Sequence, residues 1–354
     1  MSQIDEQFSG TKQVADALAF DEAALAAWME VQVSGFSGPL TVSQFKGGQS
    51  NPTYKLTTPD HAYVLRRKPP GKLLPSAHAV DREFEVMSKL GAAGFPAPRM
   101  HGLCMDRDVI GTEFYVMDFV AGRIFWDPLL PDLAKNDRAP IYDAANATLA
   151  HLHSIDHETA GLGEYGKPGN YFQRQIGRWS KQYRAAETGP VEAMDKLIAW
   201  LPDAAPEQER TSVVHGDYRL DNMIFHPTEP RVIAVLDWEL STLGDPLADF
   251  TYQLMGWVMP PEVRNGFLGV DIEALGIPSM ETYVAAYCER TGRSSIPDLN
   301  FYFAYNIFRL ASIVQGVYAR SLQGNASNAR AQEMGKAVEP LAQAAWGFAK
   351  AAGA

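Results

Sequence analysis

The 354-residue sequence predicts an α+β fold of two lobes, a small antiparallel sheet followed by a mostly helical body. Three observations predict it. Short β-favouring runs crowd the stretch from Leu40 to Phe119. Beyond Gly122 the apolar residues fall mostly at helical spacing. Two brief apolar runs, flanking the polar residues between His215 and Glu239, interrupt the helices. The expected division is an N-terminal helical extension over 1–38, a β-rich lobe over 39–120 and a helical lobe over 121–354. A site would be assembled between the lobes.

The elements follow in chain order. Leu25, Trp28, Met29 and Val33 recur at helical spacing within Phe20 to Val33, with Asp21 as N-cap and Gly35 and Gly38 beyond the end. Leu40 to Phe45, Thr53 to Thr57 and His61 to Arg66 are short strands, the last two joined across Pro59-Asp60. Val80, Phe84, Met87 and Leu90 mark a helix stopped by Gly91. Val109-Ile110 and Phe114 to Val120 read as two more strands around Gly111-Thr112, giving five strands with one helix inserted. Later helices are expected over Ile141 to Ser154, Tyr171 to Ala186, Val191 to Leu201, Met280 to Thr291, Leu299 to Arg320 and Arg330 to Ala352.

Bulk properties narrow the function. A formal net charge of −11 argues against nucleic acid or an anionic membrane as the main partner. The two cysteines, Cys104 and Cys288, form neither a metal-ligand spacing nor a disulfide framework, which suits a reducing cytoplasm. Met1 to Gly10 has no basic and apolar leader pattern. The apolar run from Phe301 to Val317 is broken by Asn306, Arg309 and Gln315, so it reads as a buried helix and not a membrane span.

The segment His215-Gly216-Asp217-Tyr218-Arg219-Leu220-Asp221-Asn222, followed by Leu236-Asp237-Trp238-Glu239, carries the chemistry. Strand-like runs, Ser212 to Val214 and Val232 to Leu236, precede its two parts. Each polar residue alone could cap a turn. The set fits phosphoryl transfer: Asp217 accepts a hydroxyl proton, while Asn222 and Asp237 supply the hard oxygen ligands that Mg2+ prefers beside nucleotide phosphates. Arg219 either approaches the transferred group, is solvated, or makes a structural ion pair.

Upstream, Gly47 and Gly48 allow close backbone approach to phosphates, and Ser50 and Asn51 can donate to them, although paired glycines also make ordinary hairpin turns. Arg66 stands where a kinase carries its phosphate-binding lysine, with Glu83 as ion-pair partner; Arg67 and Lys68 are adjacent alternatives. Strand alternation sets Arg66 with Val64, opposite Leu65 and Arg67.

Together these residues resemble the aminoglycoside phosphotransferase and choline kinase-like superfamily, a branch of the protein-kinase-like fold, in motif order from about Leu40 to Arg320. The resemblance implies ATP as donor, Mg2+, and a small-molecule hydroxyl as acceptor. It makes Met117-Asp118-Phe119-Val120 similar to the hinge that holds adenine, with Met117 and Phe119 as nucleotide-binding residues. It also makes Asp249, in Gly244 to Asp249, a brace for the catalytic loop. No Ala-Pro-Glu element follows, which argues against a protein substrate. The segments Tyr171 to Tyr183 and Phe308 to Tyr318 resemble the kinase-like domain fused to acyl-CoA dehydrogenases, a branch associated with hydroxylated acyl-CoA. Arg174 and Arg178, with Lys181, share one helix face, and Asn306, Arg309, Gly316 and Arg320 share another. These cations are expected either to meet an anionic substrate or to be paired within the protein or solvated. Aminoglycoside phosphorylation and a nucleotide-binding module without catalysis are the competing expectations.

Overall fold

The computed structural model describes residues 9–46, 51–71, 78–263, 266–322 and 335–354. The chain forms two compact units. The first comprises Met1–Tyr165, Arg219–Ser241 and Glu273–Ile277; the second comprises Gly166–Tyr218, Thr242–Ile272 and Pro278–Ala354.

The first unit is built on an antiparallel sheet of β1 (Thr11–Lys12), β2 (Thr41–Phe45), β3 (Thr53–Thr57), β4 (Ala62–Arg67), β5 (Met100–Cys104) and β6 (Phe114–Asp118), in the order β1-β2-β3-β4-β6-β5. Helix α1 (Glu22–Gln32) covers one face. Asp21 caps it by accepting from the Ala23 and Ala24 amides at 2.9 Å, as its sequence position predicts. Leu25, Met29 and Val33 pack there on Tyr54, Leu56, Tyr63, Leu65, Phe114 and Val116. Helix α2 (Val80–Ala92) packs beside β5 and β6 and carries the buried Glu83.

The sheet departs from the sequence expectation in two places. Val109-Ile110 is not a strand but the end of a helical turn, α3 (Arg107–Ile110). Asp106 caps the turn through the Asp108 amide at 2.9 Å, and Gly111 closes it at φ +84°. The partner of β6 is instead β5, whose mixed Met-His-Gly-Leu-Cys run hides its β character. That exchange keeps the count at five; β1 (Thr11–Lys12), paired with β2, is the sixth strand of the described sheet.

Helix α4 (Lys135–Ser154) belongs to the same unit, as does the ribbon of β8 (Met223–Phe225) with β9 (Val232–Val235). The second unit holds α5 (Tyr171–Ala186), α6 (Glu192–Ala204), the pair β7 (Ser212–Val214) with β10 (Thr242–Gly244), α7 (Pro246–Val258), α8 (Met280–Thr291), α9 (Leu299–Leu322) and α10 (Val338–Ala351). Helix α7 is absent from the sequence reading; Asp245 caps it through the Leu247 amide at 2.9 Å and Pro246 opens it. No described helix is long and apolar enough to cross a membrane.

Candidate active site

In the first unit, strand alternation aims neighbouring arginines of β4 at opposite faces of the sheet. Arg66 Nε lies 3.0 Å from Glu83 Oε2, the partner its sequence position predicts. The same guanidinium donates to Asp237 Oδ1 at 2.7 Å and reaches Glu239 Oε2 at 3.5 Å. Arg67, the adjacent alternative, turns to the α1 side and donates to the carbonyls of Ile110 at 3.2 Å and Leu18 at 3.0 Å. Lys68 pairs with Glu113 at 3.6 Å.

Glu83 is 1% exposed, and burial drives its carboxyl up, to about 7, against the opposing pull of Arg66. Burial works against the charge of Arg66, but Glu83, Tyr115, Asp237 and Glu239 outweigh it and raise the guanidinium pKa. The Tyr115 hydroxyl donates to Glu83 at 3.1 Å and the Asn51 amide donates to the other carboxylate oxygen at 3.1 Å. Asn51 is itself fully buried, with His78 Nδ1 at 2.8 Å from its side-chain oxygen. Its side chain thus braces Glu83. Gly47, Gly48 and Ser50 lie outside the described residues.

The β8–β9 ribbon brings the two expected metal ligands to one end. Met223 is paired with Val235, and the Leu236 amide donates to the Asn222 carbonyl at 2.8 Å, so Asp237 follows directly. Asp237 adopts φ +65°, unusual for a residue other than glycine, in the manner of backbone strain held at functional sites. Arg219 takes the ion-pair alternative: its Nε donates to Asp221 Oδ1 at 2.9 Å. At the expected hinge, Met117 is buried in β6, the Phe119 amide donates to the Ala62 carbonyl at 3.1 Å, and Lys55 Nζ sits 4.1 Å from the Phe119 ring centre.

In the second unit, β7 delivers the chain into the His215–Asp217 turn. Gly216 at φ +86° makes a backbone angle that a side chain would strain. The carboxylate of Asp249 on α7 accepts from the His215 and Gly216 amides, the latter at 2.7 Å, as the brace expected there. Arg309 on α9 closes the other side by donating to the Gly216 carbonyl at 2.6 Å. It is 5% exposed and flanked by Tyr252 and Trp179, and the ring of Tyr252 lies 5.1 Å from its guanidinium carbon. The Tyr252 hydroxyl donates to Asp217 Oδ1 at 2.5 Å.

Among the other expected substrate cations, Arg174 donates to the carbonyls of Gly169 and Lys167, tying down the start of α5. Arg178 is exposed and, with Arg174, Gly177 and Lys181, shares an open, cationic face of α5. The Asn306 amide donates to Thr251 Oγ1 at 3.0 Å, and Arg320 is exposed at the far end of α9. Tyr252 and Glu239 carry no role in the sequence reading. Tyr252 had one available signal: it follows Asp249 by three residues, which is one face of a helix.

The fold is of the two-lobed, kinase-like α+β class. The model of the phosphotransferase enzyme family matches residues 41–290, and the chain belongs to that family. Among curated proteins it is 48% identical over 342 residues to mouse acyl-CoA dehydrogenase family member 10, covering 96% of this chain and 32% of that protein. To human acyl-CoA dehydrogenase family member 11 it is 45% identical over 330 residues, covering 92% and 42%. The chain therefore spans less than half the length of these relatives. A structure from Ralstonia eutropha JMP134, provisionally described as an aminoglycoside phosphotransferase, is 50% identical with TM-score 0.86, covering 94% of this chain and 99% of that one. A thermostable mutant of aminoglycoside phosphotransferase APH(4)-Ia, in a ternary complex with ADP and hygromycin B, shares the fold at TM-score 0.59 and 14% identity, covering 92% and 98%.

Proposed function

We propose that this chain is an ATP-dependent small-molecule kinase that transfers the γ-phosphoryl group to a substrate hydroxyl. The observation that carries the reading is the mounting of Asp217. Its turn is held through consecutive backbone groups by Asp249 and Arg309, and its carboxylate is oriented by Tyr252. Phosphoryl transfer asks for this kind of positioning more than for covalent chemistry.

In the proposed reaction the substrate oxygen bonds to the γ-phosphorus, the bond to the β,γ-bridging oxygen breaks, and ADP leaves. The hydroxyl proton passes to Asp217. Arg66, held by Glu83, contacts nucleotide phosphate, and Met117 and Phe119 flank the base. Asn222 and Asp237 offer the oxygen donors suited to Mg2+, which when bound neutralises charge on the phosphates. The pairing of Arg66 with Asp237 at 2.7 Å supports this assignment, because it joins the proposed phosphate ligand to the proposed metal ligand.

For the acceptor we favour an anionic, hydroxyacyl-CoA-like molecule. Relatedness at 48% and 45% identity to acyl-CoA dehydrogenase family members supports it, as do the exposed cations Arg178 and Lys181 on one face of α5. Aminoglycosides are the second reading, which rests on the description given to the 50% identical Ralstonia structure and on fold neighbours such as APH(4)-Ia. Buried thiols at Cys104 and Cys288 fit the expected cytoplasmic setting.

Asp217→Ala and Asp237→Ala are each expected to reduce turnover by about 10³-fold or more. A nucleotide-consumption screen over hydroxyacyl-CoA esters, aminoglycosides, choline and sugars identifies the acceptor for this measurement. Wild-type-like turnover by either variant would sink the assignment. Binding of ATP with no transfer to any candidate would favour a non-catalytic module.

A further inference from the structure

A cluster of side chains with no part in the proposed chemistry gathers where β4 and β5 begin and β6 ends. His61 Nε2 lies 3.1 Å from Asp118 Oδ1, and His101 Nε2 lies 2.5 Å from the same oxygen. The three potential ligand atoms all fall within 4.8 Å of one another. We propose that His61, His101 and Asp118 form a binding site for a zinc-class divalent transition cation.

The backbone is built to converge these groups. Along the β5–β6 ladder, Met100 pairs with Met117 and Gly102 pairs with Val116. Two residues advance on β5 for one on β6, so His101 is the extra residue of a β-bulge. Bulges re-aim a side chain that regular alternation would place elsewhere. His61 sits immediately before β4, and Asp118 ends β6 opposite Tyr63. Backbone hydrogen bonds pin both flanks, from Asp118 N to Arg99 O at 2.9 Å and from Phe119 N to Ala62 O at 3.1 Å. The Tyr63 ring walls the cluster, with centroids 4.5 Å from His61 and 5.2 Å from His101.

The donor set selects the cation. Two imidazoles and one carboxylate suit zinc, nickel or copper, whereas magnesium and calcium take all-oxygen shells. Bond lengths of about 2.0 Å at tetrahedral angles separate ligand atoms by roughly 3.3 Å, so modest side-chain rotation opens the present triad enough. His101 is largely buried while the His61 side chain is 49% exposed, so a cation enters from solvent and completes its shell with water.

The test uses the full chain, stripped with a chelator and dialysed against zinc chloride without nucleotide, so that its result is independent of kinase activity. One zinc per chain is expected, with cobalt substitution giving the visible absorption of a low-symmetry site. His61→Ala and His101→Ala should each weaken binding by roughly tenfold or more, and the double variant should take up none at this site. No uptake by the wild-type chain would mean a hydrogen-bonded triad only and overturns the proposal. Equal uptake by the double variant overturns it as well. Should that variant lose its cooperative melt, His61→Gln replaces it, and an unchanged zinc affinity there is equally fatal.

Discussion

At the scale of single residues, the base proposed for the reaction is held by groups far from it in sequence. Tyr252 donates to Asp217 across 35 positions, and Arg309 reaches the preceding carbonyl across 93. Tyr252→Phe is expected to lower kcat roughly tenfold while leaving the KM for nucleotide within about twofold, since the hydroxyl orients the base without touching the donor. Steady-state kinetics on the wild type and the variant separate the two parameters, and a change confined to KM would contradict the role. Asp249 and the Arg66–Glu83 pair were legible in the sequence because motif order and strand alternation locate them. Tyr252 was not, because a tyrosine on an apolar helix face looks like core. Arg309 shows the limit of charge reading: a cation on a buried helix predicts an acceptor, and here the acceptor is a backbone carbonyl ringed by aromatic side chains. Tyr305, Tyr171, Tyr252 and Asp217 raise its pKa against the cost of burial.

At the scale of elements, periodicity served where elements are long or cleanly alternating. It located α1, α2, β3 and β4, and it failed where three to five residues carry mixed chemistry, as in β5. Val109-Ile110 is β-branched, yet the Asp106 cap and Gly111 wind it into a turn; local capping overrides propensity. Helix α7 was missed because its opening Asp-Pro reads as a loop as readily as an N-terminus. Its cap carries a pH signature. Burial pushes the Asp245 carboxyl up to about 6, more than the Leu247 amide and Arg293 pull it down. A carboxyl raised in the folded state stabilises below its unfolded pKa, and that contribution is lost as pH rises through about 6. Asp245→Asn keeps a capping oxygen without the charge. Its Tm relative to wild type should therefore climb by a few degrees between pH 5 and pH 8, on the order of 2–4 °C per kcal/mol. A constant difference across that range would show that Asp245 does not titrate there.

At the scale of the whole molecule, the net charge of −11 and the apolar fraction bounded the partner classes but could not divide the chain. The N-terminal segment illustrates why. Read alone, 1–38 is a helical extension; in the structure α1 supplies Leu25 and Met29, and the residue after it Val33, to the core of the first unit. Burying such side chains contributes about 1.5–3 kcal/mol each. Deleting residues 1–38 would leave Tyr54, Leu56, Leu65 and Phe114 facing water, and the truncated chain is expected to lose its cooperative thermal transition or to precipitate. A truncated chain melting within about 2 °C of the full one would show that α1 is dispensable.

Helix α9 has a mechanical consequence. Three polar side chains, Asn306, Arg309 and Gln315, lock into the oxygens of Thr251, Gly216 and Ala186 at 3.0, 2.6 and 2.7 Å. They act as splines on a shaft. Turning the helix by one residue or sliding it by one turn would strip all three at once, with their polar atoms buried. Intermediate settings are therefore closed to it, and the helix is either seated or released. Its central amides should be among the last in the chain to exchange with deuterium, through unfolding of the second unit and not through local fraying.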